Sequence, residues 1–564
     1  MKLFAHFFNP IADRHRFKIR WQTFFPIFLI VGAFLVINGL TLLEFPRIHS
    51  DELWLLGTAE AFMHEGTFKV TEPFFDLYPR VIHPFRWLYL LMESGVISIL
   101  GNTAFAMRFL SLLAASAALI AFYRTALTRF SNTSEGHLIA SVLTIVLALN
   151  VQWLYASRFG RQDMIILMLV LIGFFSLSRP NGKAWFPALL VCLGIGVHPN
   201  SFLIAAVFFA VMGIQVLSGK RPLRSLVTFF ALVASGAALY LIIGYRWNPH
   251  LLSEYFSYGA SLGIETQATS RLTGFFWFWY KLYYRIGGTY DLFDIRTELT
   301  VFTAALAVSV CLLTVYFLRR QNRSEIDLSA LQMDTAAFIA LLAGLLIIGR
   351  YNQTSVVFLF PFGLLLTASA LQSLFKLTGR FLSSDMRTQI ASAKWTYILC
   401  GLLVSLSLLG LRQDLQSYFD AQPYQRGYAE TLAALHEIIP ADAIQLSNIN
   451  VIEGFDPYAF YDIRNLALLE ENGLSLSEYI EARGIEYIVL HDEMGYMEQT
   501  SPRWDFIYGT LDFMPALHAF IDERTTLVAV IDDPTYGMRI AKYVGTYPWE
   551  TRIYRVLPDE SKNE

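Results

Sequence analysis

Charged residues are scarce in this 564-residue chain, at 16% of the total, against about 25% in soluble domains. With 55% hydrophobic residues and a mean hydropathy of +0.45, most of the chain is solvated by lipid rather than water. A net charge of -3 gives no basis for nucleic acid as a partner. Cysteine is rarer still. Cys192, Cys311 and Cys400 all lie inside apolar runs, which argues against a disulfide framework and against a Cys-based metal site. No small-residue cleavage site follows the first apolar run, Thr23 to Leu43. That run is long enough to span a bilayer and reads as a retained first span.

What is abundant is apolar sequence. Further runs lie near Ala104–Leu127, His137–Tyr155, Met164–Leu177, Trp185–Val197 and Ser201–Leu217. More follow at Leu226–Tyr245, Leu299–Leu318, Ala336–Ile348, Ser355–Phe375 and Trp395–Leu411. With the first, they predict about eleven spans of about 20 residues. Phe85–Gly101 is a further candidate. It is short, and Arg86, Glu93, Ser94, Ser98 and Gly101 share one side of a helical wheel, the pattern of a helix lying in the interface plane.

Positive charge tests that reading. If Phe85–Gly101 does not span, Arg14, Arg16, Lys18 and Arg20 share a side with Arg124, Arg129, Arg179, Lys183, Lys220, Arg221 and Arg224. Arg319, Arg320, Arg323, Lys376, Arg380, Arg387 and Lys394 join them. The opposite short loops keep only Arg158, Arg161 and Arg350. The expectation is a plasma-membrane protein with a cytoplasmic N-terminus and its C-terminal region outside.

The outer face then carries Asp51-Glu52, Arg158–Asp163, His198-Pro199-Asn200, the long Arg246–Glu298 loop and Arg350-Tyr351. By spacing, Asp51 and Glu52 read as acids capping a helix that begins near Leu53. The chemical alternative is a carboxylate held against apolar groups at a membrane surface, a candidate base. The aromatic stretch Phe275–Lys281 with Tyr283-Tyr284-Arg285 suits a second interfacial helix or an aromatic belt.

From about Arg412 the composition becomes that of a soluble protein, dividing the chain into residues 1–411, a transmembrane domain, and 412–564, an extracytoplasmic α/β domain. Tyr428–Ile438, Leu476–Arg483 and Arg503–Ile521 read as helices, and Ala443–Leu446, Ile485–Leu490, Thr526–Ile531 and Thr551–Leu557 as strands. His491-Asp492-Glu493 follows a strand and reads as an exposed turn, with a cation site as the alternative.

The order and sidedness of the outer-loop pieces resemble the GT-C superfamily of polytopic glycosyltransferases. The similar branch is the bacterial one related to protein mannosyltransferases and the lipid A aminoarabinose transferase, the RgtA/B/C/D-like group. The resemblance covers roughly residues 30–375. It rests on Asp51-Glu52 after the first span, His83-Pro84 before the interfacial helix, and the Gly101…Arg108-x-x-Ser111 stretch. Arg158–Asp163 is similar to a second acidic motif, and Arg350-Tyr351 with Pro361 to a late signature. Pro84 is followed by Phe85 rather than a second proline, and His198-Pro199-Asn200 stands where several relatives carry a lysine that helps hold the lipid phosphate.

The resemblance implies inverting transfer of a sugar from a polyprenyl-phosphate donor to an acceptor hydroxyl of a lipid, polysaccharide or protein at the outer face. Such a reaction needs a base for the acceptor's proton and cations for the departing phosphate. Asp51 is the candidate base, and Asp163 would orient a substrate or help a cation bind. Glu52 would stand behind Asp51. Arg350 is the first choice for the phosphate, because a charge just outside an apolar span is costly without a partner. His83, Arg158, Arg161, His198 and Tyr351 complete the candidate binding set. Relatives differ in metal use, and a divalent cation would fit between Asp51, Asp163 and His83. Two other classes stay open: a transporter or lipid flippase, and a non-catalytic component of envelope assembly. The chain shows no obvious internal repeat and few charges within its spans, unlike most transporters.

Overall fold

The computed structural model describes residues 14–78, 84–130, 135–179, 182–254, 293–318, 328–348, 353–378, 393–420, 427–502, 509–532 and 549–558, with isolated residues between. The expected runs are all helical. They form α1 (Arg14–Leu40), α4 (Ala104–Phe130), α5 (Gly136–Ala148) with α6 (Val151–Ser157), α7 (Asp163–Leu177), α8 (Trp185–Val197) and α9 (Phe202–Leu217). Then come α10 (Leu223–Trp247), α11 (Arg296–Leu318), α12 (Ser329–Ile348), α13 (Leu359–Thr378) and α14 (Ala393–Asp420). Between α1 and α4 lie α2 (Ser50–Glu65) and α3 (Trp87–Leu100).

This is a polytopic membrane protein. Among the described residues, six helices are long and apolar enough to cross a bilayer, seven if α5 and α6 count as one. That is fewer than the expected eleven, because α7 and α8, among others, are shorter than the ~20 residues that a ~30 Å hydrocarbon layer asks for. The α5–α6 pair bends by 68°. Asn150 sits at the bend and caps α6, its side-chain oxygen accepting from the N–H groups of Gln152 and Trp153.

The chain leaves α1 and enters α4 at one level, since Arg108, one turn into α4, donates to the carbonyls of Leu42 and Pro46. The excursion through α2 and α3 therefore begins and ends beside the same turn of α4. One detail differs from the helical-wheel expectation. The polar side of α3 is split: Glu93 and Ser94 are buried, at 2% and 7% exposed, while Ser98 and Gly101 stay exposed. The wheel shows which side is polar but not which side the protein covers.

Past α14, which continues beyond the compositional boundary to Asp420, α15 (Tyr428–His436) leads into a five-stranded sheet. Its strands are β1 (Gln445–Ser447), β2 (Phe460–Asp462), β3 (Tyr487–His491), β4 (Thr525–Ile531) and β5 (Thr551–Val556), in the order β2-β1-β3-β5-β4. β1 runs parallel to β2 and β3, and β5 is antiparallel to β3 and β4. Alternation sorts the two faces. Leu446, Ile488 and Leu490 enter a separate core with α16 (Leu476–Arg483) and α17 (Met514–Arg524), whereas Val489 and Ile553 join a core continuous with the bundle. β2, only three residues long, escapes the alternation test.

The sheet domain is bolted to the segment that follows α2. Asp462 N–H and the Asn465 amide both donate to the Phe74 carbonyl, at 3.1 and 2.9 Å. Asp76 accepts from the Tyr479 hydroxyl and from Arg483 Nε. Glu453 reaches the bundle itself, accepting from Ala104 N–H at 2.9 Å and so capping α4 from another domain.

Candidate active site

The site begins with the start of α2. His49 is its N-cap: its Nδ1 accepts from Asp51 N–H at 3.1 Å, and its own N–H donates to Glu52 Oε2 at 2.9 Å. This reciprocal box fixes the first turn and points the two adjacent acids in different directions. Glu52 turns inward and is fully buried, while the Asp51 side chain stays 28% exposed.

Glu52 meets Arg108. The guanidinium donates Nε to Oε1 and Nη2 to Oε2, both at 2.8 Å, and its remaining N–H groups go to the carbonyls of Leu42, Pro46 and Arg47. All five donors of this fully buried side chain are thus used. Glu52 Oε1 also accepts from Gly160 N–H at 2.7 Å. A Cβ at Gly160 would stand 3.0 Å from Met107 Cβ and 3.2 Å from Glu52 Oε1, so the close approach of this loop depends on a glycine. Three residues on from Arg108, Ser111 donates to the Arg161 carbonyl at 3.1 Å. One face of α4 thereby holds both site loops. A charge placed at the start of an apolar run was the signal for Arg108, which the sequence marks as part of a motif without revealing its partner.

Arg161 stands between the two candidate acids. Its Nη1 lies 2.9 Å from Asp51 Oδ2, and its Nε lies 3.6 Å from Asp163 Oδ2. Asp163 opens α7 and is nearly buried, with its side chain 4% exposed. Both carboxylates sit at helix N-termini, where the N–H dipoles favour negative charge. Asp51 is the member of this cluster most open to a substrate. The guanidinium of Arg161 takes the position between Asp51 and Asp163 that a divalent ion would need. No group of three or more His, Cys, Asp or Glu able to hold a metal occurs among the described residues.

Arg158 is not a solvated loop charge. It is 7% exposed, donates to Thr41 Oγ1 at 2.7 Å and stacks over Phe45. Burial, with Arg108 nearby, lowers its pKa to about 10. His198 caps its own turn, accepting from Asn200 N–H at 3.1 Å. His83, Arg350, Tyr351 and nearly all of the aromatic stretch 275–285 lie outside the described residues.

Two neighbours complete the setting. Tyr89 on α3 donates to the Gly160 carbonyl at 3.4 Å. One turn on, burial pushes the Glu93 carboxyl up to about 8, with Tyr89 and Arg86 pulling the other way. In the C-terminal domain, His491 is buried rather than exposed, sharing a hydrogen bond with Thr551 Oγ1, and Asp492 accepts from Arg552 and from Glu550 N–H. These side chains brace β3 against β5.

The bundle and the appended sheet domain define a polytopic membrane protein with a C-terminal domain. More particularly, the fold is that seen in the crystal structure of ArnT from Cupriavidus metallidurans bound to undecaprenyl phosphate. The TM-score is 0.50 at 11% sequence identity, over 95% of this chain and 99% of ArnT. No family model and no curated protein matches the sequence.

Proposed function

We propose that the protein is a GT-C-type glycosyltransferase that takes a sugar from a polyprenyl-phosphate donor and passes it to an acceptor hydroxyl at the outer face of the plasma membrane. The observation that carries this reading is the division of labour between Asp51 and Glu52. Glu52 is locked by four hydrogen bonds inside the protein, and Asp51 is held beside it by the same helix turn, 28% exposed and paired with the Arg161 guanidinium. The fold supports it, since the ArnT structure that shares this architecture holds undecaprenyl phosphate.

In the reaction, the acceptor oxygen attacks the anomeric carbon from the face opposite the phosphate. The new C–O bond forms as the bond to the phosphate oxygen breaks, and the acceptor's proton passes to the Asp51 carboxylate. The polyprenyl phosphate leaves with the electron pair, so inversion follows from a single displacement. Arg161 and Arg158 supply positive charge at the site, and Arg161 orients Asp51 toward the acceptor. The outer domain, fastened to the segment after α2, shapes the acceptor side. The sugar and the acceptor are those of a cell-envelope glycoconjugate or protein.

The test is sugar release from polyprenyl-phosphate sugars by purified protein in lipid, with crude envelope extract as acceptor source. Asp51→Asn should lower turnover by about 10²–10⁴-fold with donor binding retained. Undiminished turnover in that variant would remove Asp51 from the chemistry.

A further inference from the structure

The opposite ends of the same helices build a second polar site. α4 and α7 each start at the candidate active site, and their far ends, with the end of α9, the loop before α10 and the start of α12, line a cavity of about 810 Å³. Arg108 and Arg124 lie sixteen positions apart on α4, which at 1.5 Å per residue separates the two sites by about 24 Å.

Four cations converge there. Arg124, Arg179, Lys220 and Arg221 line the cavity, and no acid is among its described lining residues. The Phe175 ring lies within cation–π reach of two of them, Arg124 at 5.6 Å and Arg179 at 5.8 Å. Arg221 is held from behind: its Nε donates to Gln215 Oε1 and its Nη1 to the Gly182 carbonyl, both at 2.8 Å. Gln215, 8% exposed, is fixed in turn by donating to the Leu177 carbonyl. Leu127, Leu177, Ile214 and Met333 supply an apolar wall.

Solvated charges at a membrane surface spread apart to reduce their repulsion; these are gathered into a concavity and braced. A concentrated positive charge beside an apolar wall suits an amphiphilic anion, and guanidinium groups match phosphate oxygens in geometry. We infer that this cavity binds the phosphoryl headgroup of an anionic membrane lipid in the leaflet away from the Asp51 site, with the acyl chains against the apolar wall. The inference does not depend on the transfer chemistry proposed above.

The full-length protein in uncharged detergent would be titrated with phosphatidylglycerol, phosphatidylcholine and inorganic phosphate, with bound lipid read by native mass spectrometry. Retention of phosphatidylglycerol over phosphatidylcholine is expected. Arg124→Gln/Arg179→Gln should weaken it about tenfold or more, and inorganic phosphate should compete. Lys220→Gln/Arg221→Gln, which changes the loop rather than the helices, should act the same way, and cooperative thermal unfolding of each variant shows that it is folded. Equal phosphatidylglycerol binding by wild type and both variants would overturn the site. Binding of inorganic phosphate without retention of lipid would overturn the lipid and leave a soluble phosphate ester in its place.

Discussion

Arg108 and Glu52 meet fork to fork, with both contacts at 2.8 Å and both side chains completely buried. The pair ties the loop after α1, the first turn of α2 and the Gly160 loop to one helix. Removing one partner from such a pair leaves a buried charge without compensation, which typically costs about 3–5 kcal/mol, whereas replacing both by apolar groups costs far less. Glu52→Gln should therefore lower the unfolding temperature in detergent sharply. Glu52→Gln/Arg108→Met should be less destabilised than the sum of its single variants, a coupling that a double-mutant cycle reads directly. Additive effects would show that the two residues act independently.

Gly160→Ala tests how tightly the site loop must approach α4. The added methyl would crowd Met107 and Glu52 Oε1, and overpacking of this kind costs about 1–3 kcal/mol. Gly95→Ala is the control, since a Cβ on that helical glycine meets nothing within 4 Å and Ala favours a helix over Gly. Gly160→Ala should unfold at a lower temperature than wild type and Gly95→Ala at the same temperature or higher. The opposite ranking would contradict the packing described here.

Glu93 gives a pH dependence with a definite sign. Burial raises its carboxyl pKa from 4.5 to about 8, so the folded protein holds that proton more tightly than the unfolded chain. Below the ordinary glutamate range the proton is bound in both states and the site is neutral in its effect. As pH rises from 4.5 toward 8, only the unfolded chain releases the proton freely, and folding loses stability. Glu93→Gln abolishes this term, which is on the order of a few kcal/mol. Its unfolding temperature should match wild type near pH 4.5 and exceed it increasingly toward pH 8. A constant difference across that range would mean that Glu93 does not titrate in this window.

Much of this organisation is legible in the sequence because it is local. Apolar runs set the helices. Strand alternation finds β1, β3, β4 and β5. What escapes is what depends on a distant partner. Asp51 and Asp163 stand out as acids at helix starts, yet nothing near them in sequence says that Arg161 lies between them. Arg108 reads as a motif position, but its role follows from Glu52, fifty-six residues earlier. The polar side of α3 is visible, and the burial of Glu93 and Ser94 within it is not, because that depends on α2 and α4 packing over it.

The contact between the C-terminal domain and α2 gives the last prediction. Arg464 lies with its guanidinium 4.9 Å from the Trp54 ring and 4.6 Å from the Phe75 ring, held in place by Asp462 at 2.7 Å. Trp54 is three residues from Asp51 on the same helix, so this stack carries the C-terminal domain's grip to the candidate base. Two cation–π contacts in a desolvated setting contribute about 1–2 kcal/mol each, and removing the guanidinium also leaves Asp462 buried without its charge partner. Arg464→Ala should loosen both sides of the interface. Deuterium exchange is expected to rise in α2 and the 66–78 segment as well as around β2, with turnover falling although no atom of the Asp51 cluster has been changed. Arg464→Lys keeps the charge but not the planar stacking surface, and should lie between wild type and the alanine variant. Exchange confined to the C-terminal domain, with α2 unmoved, would show that the stack fastens the domain without bracing the site.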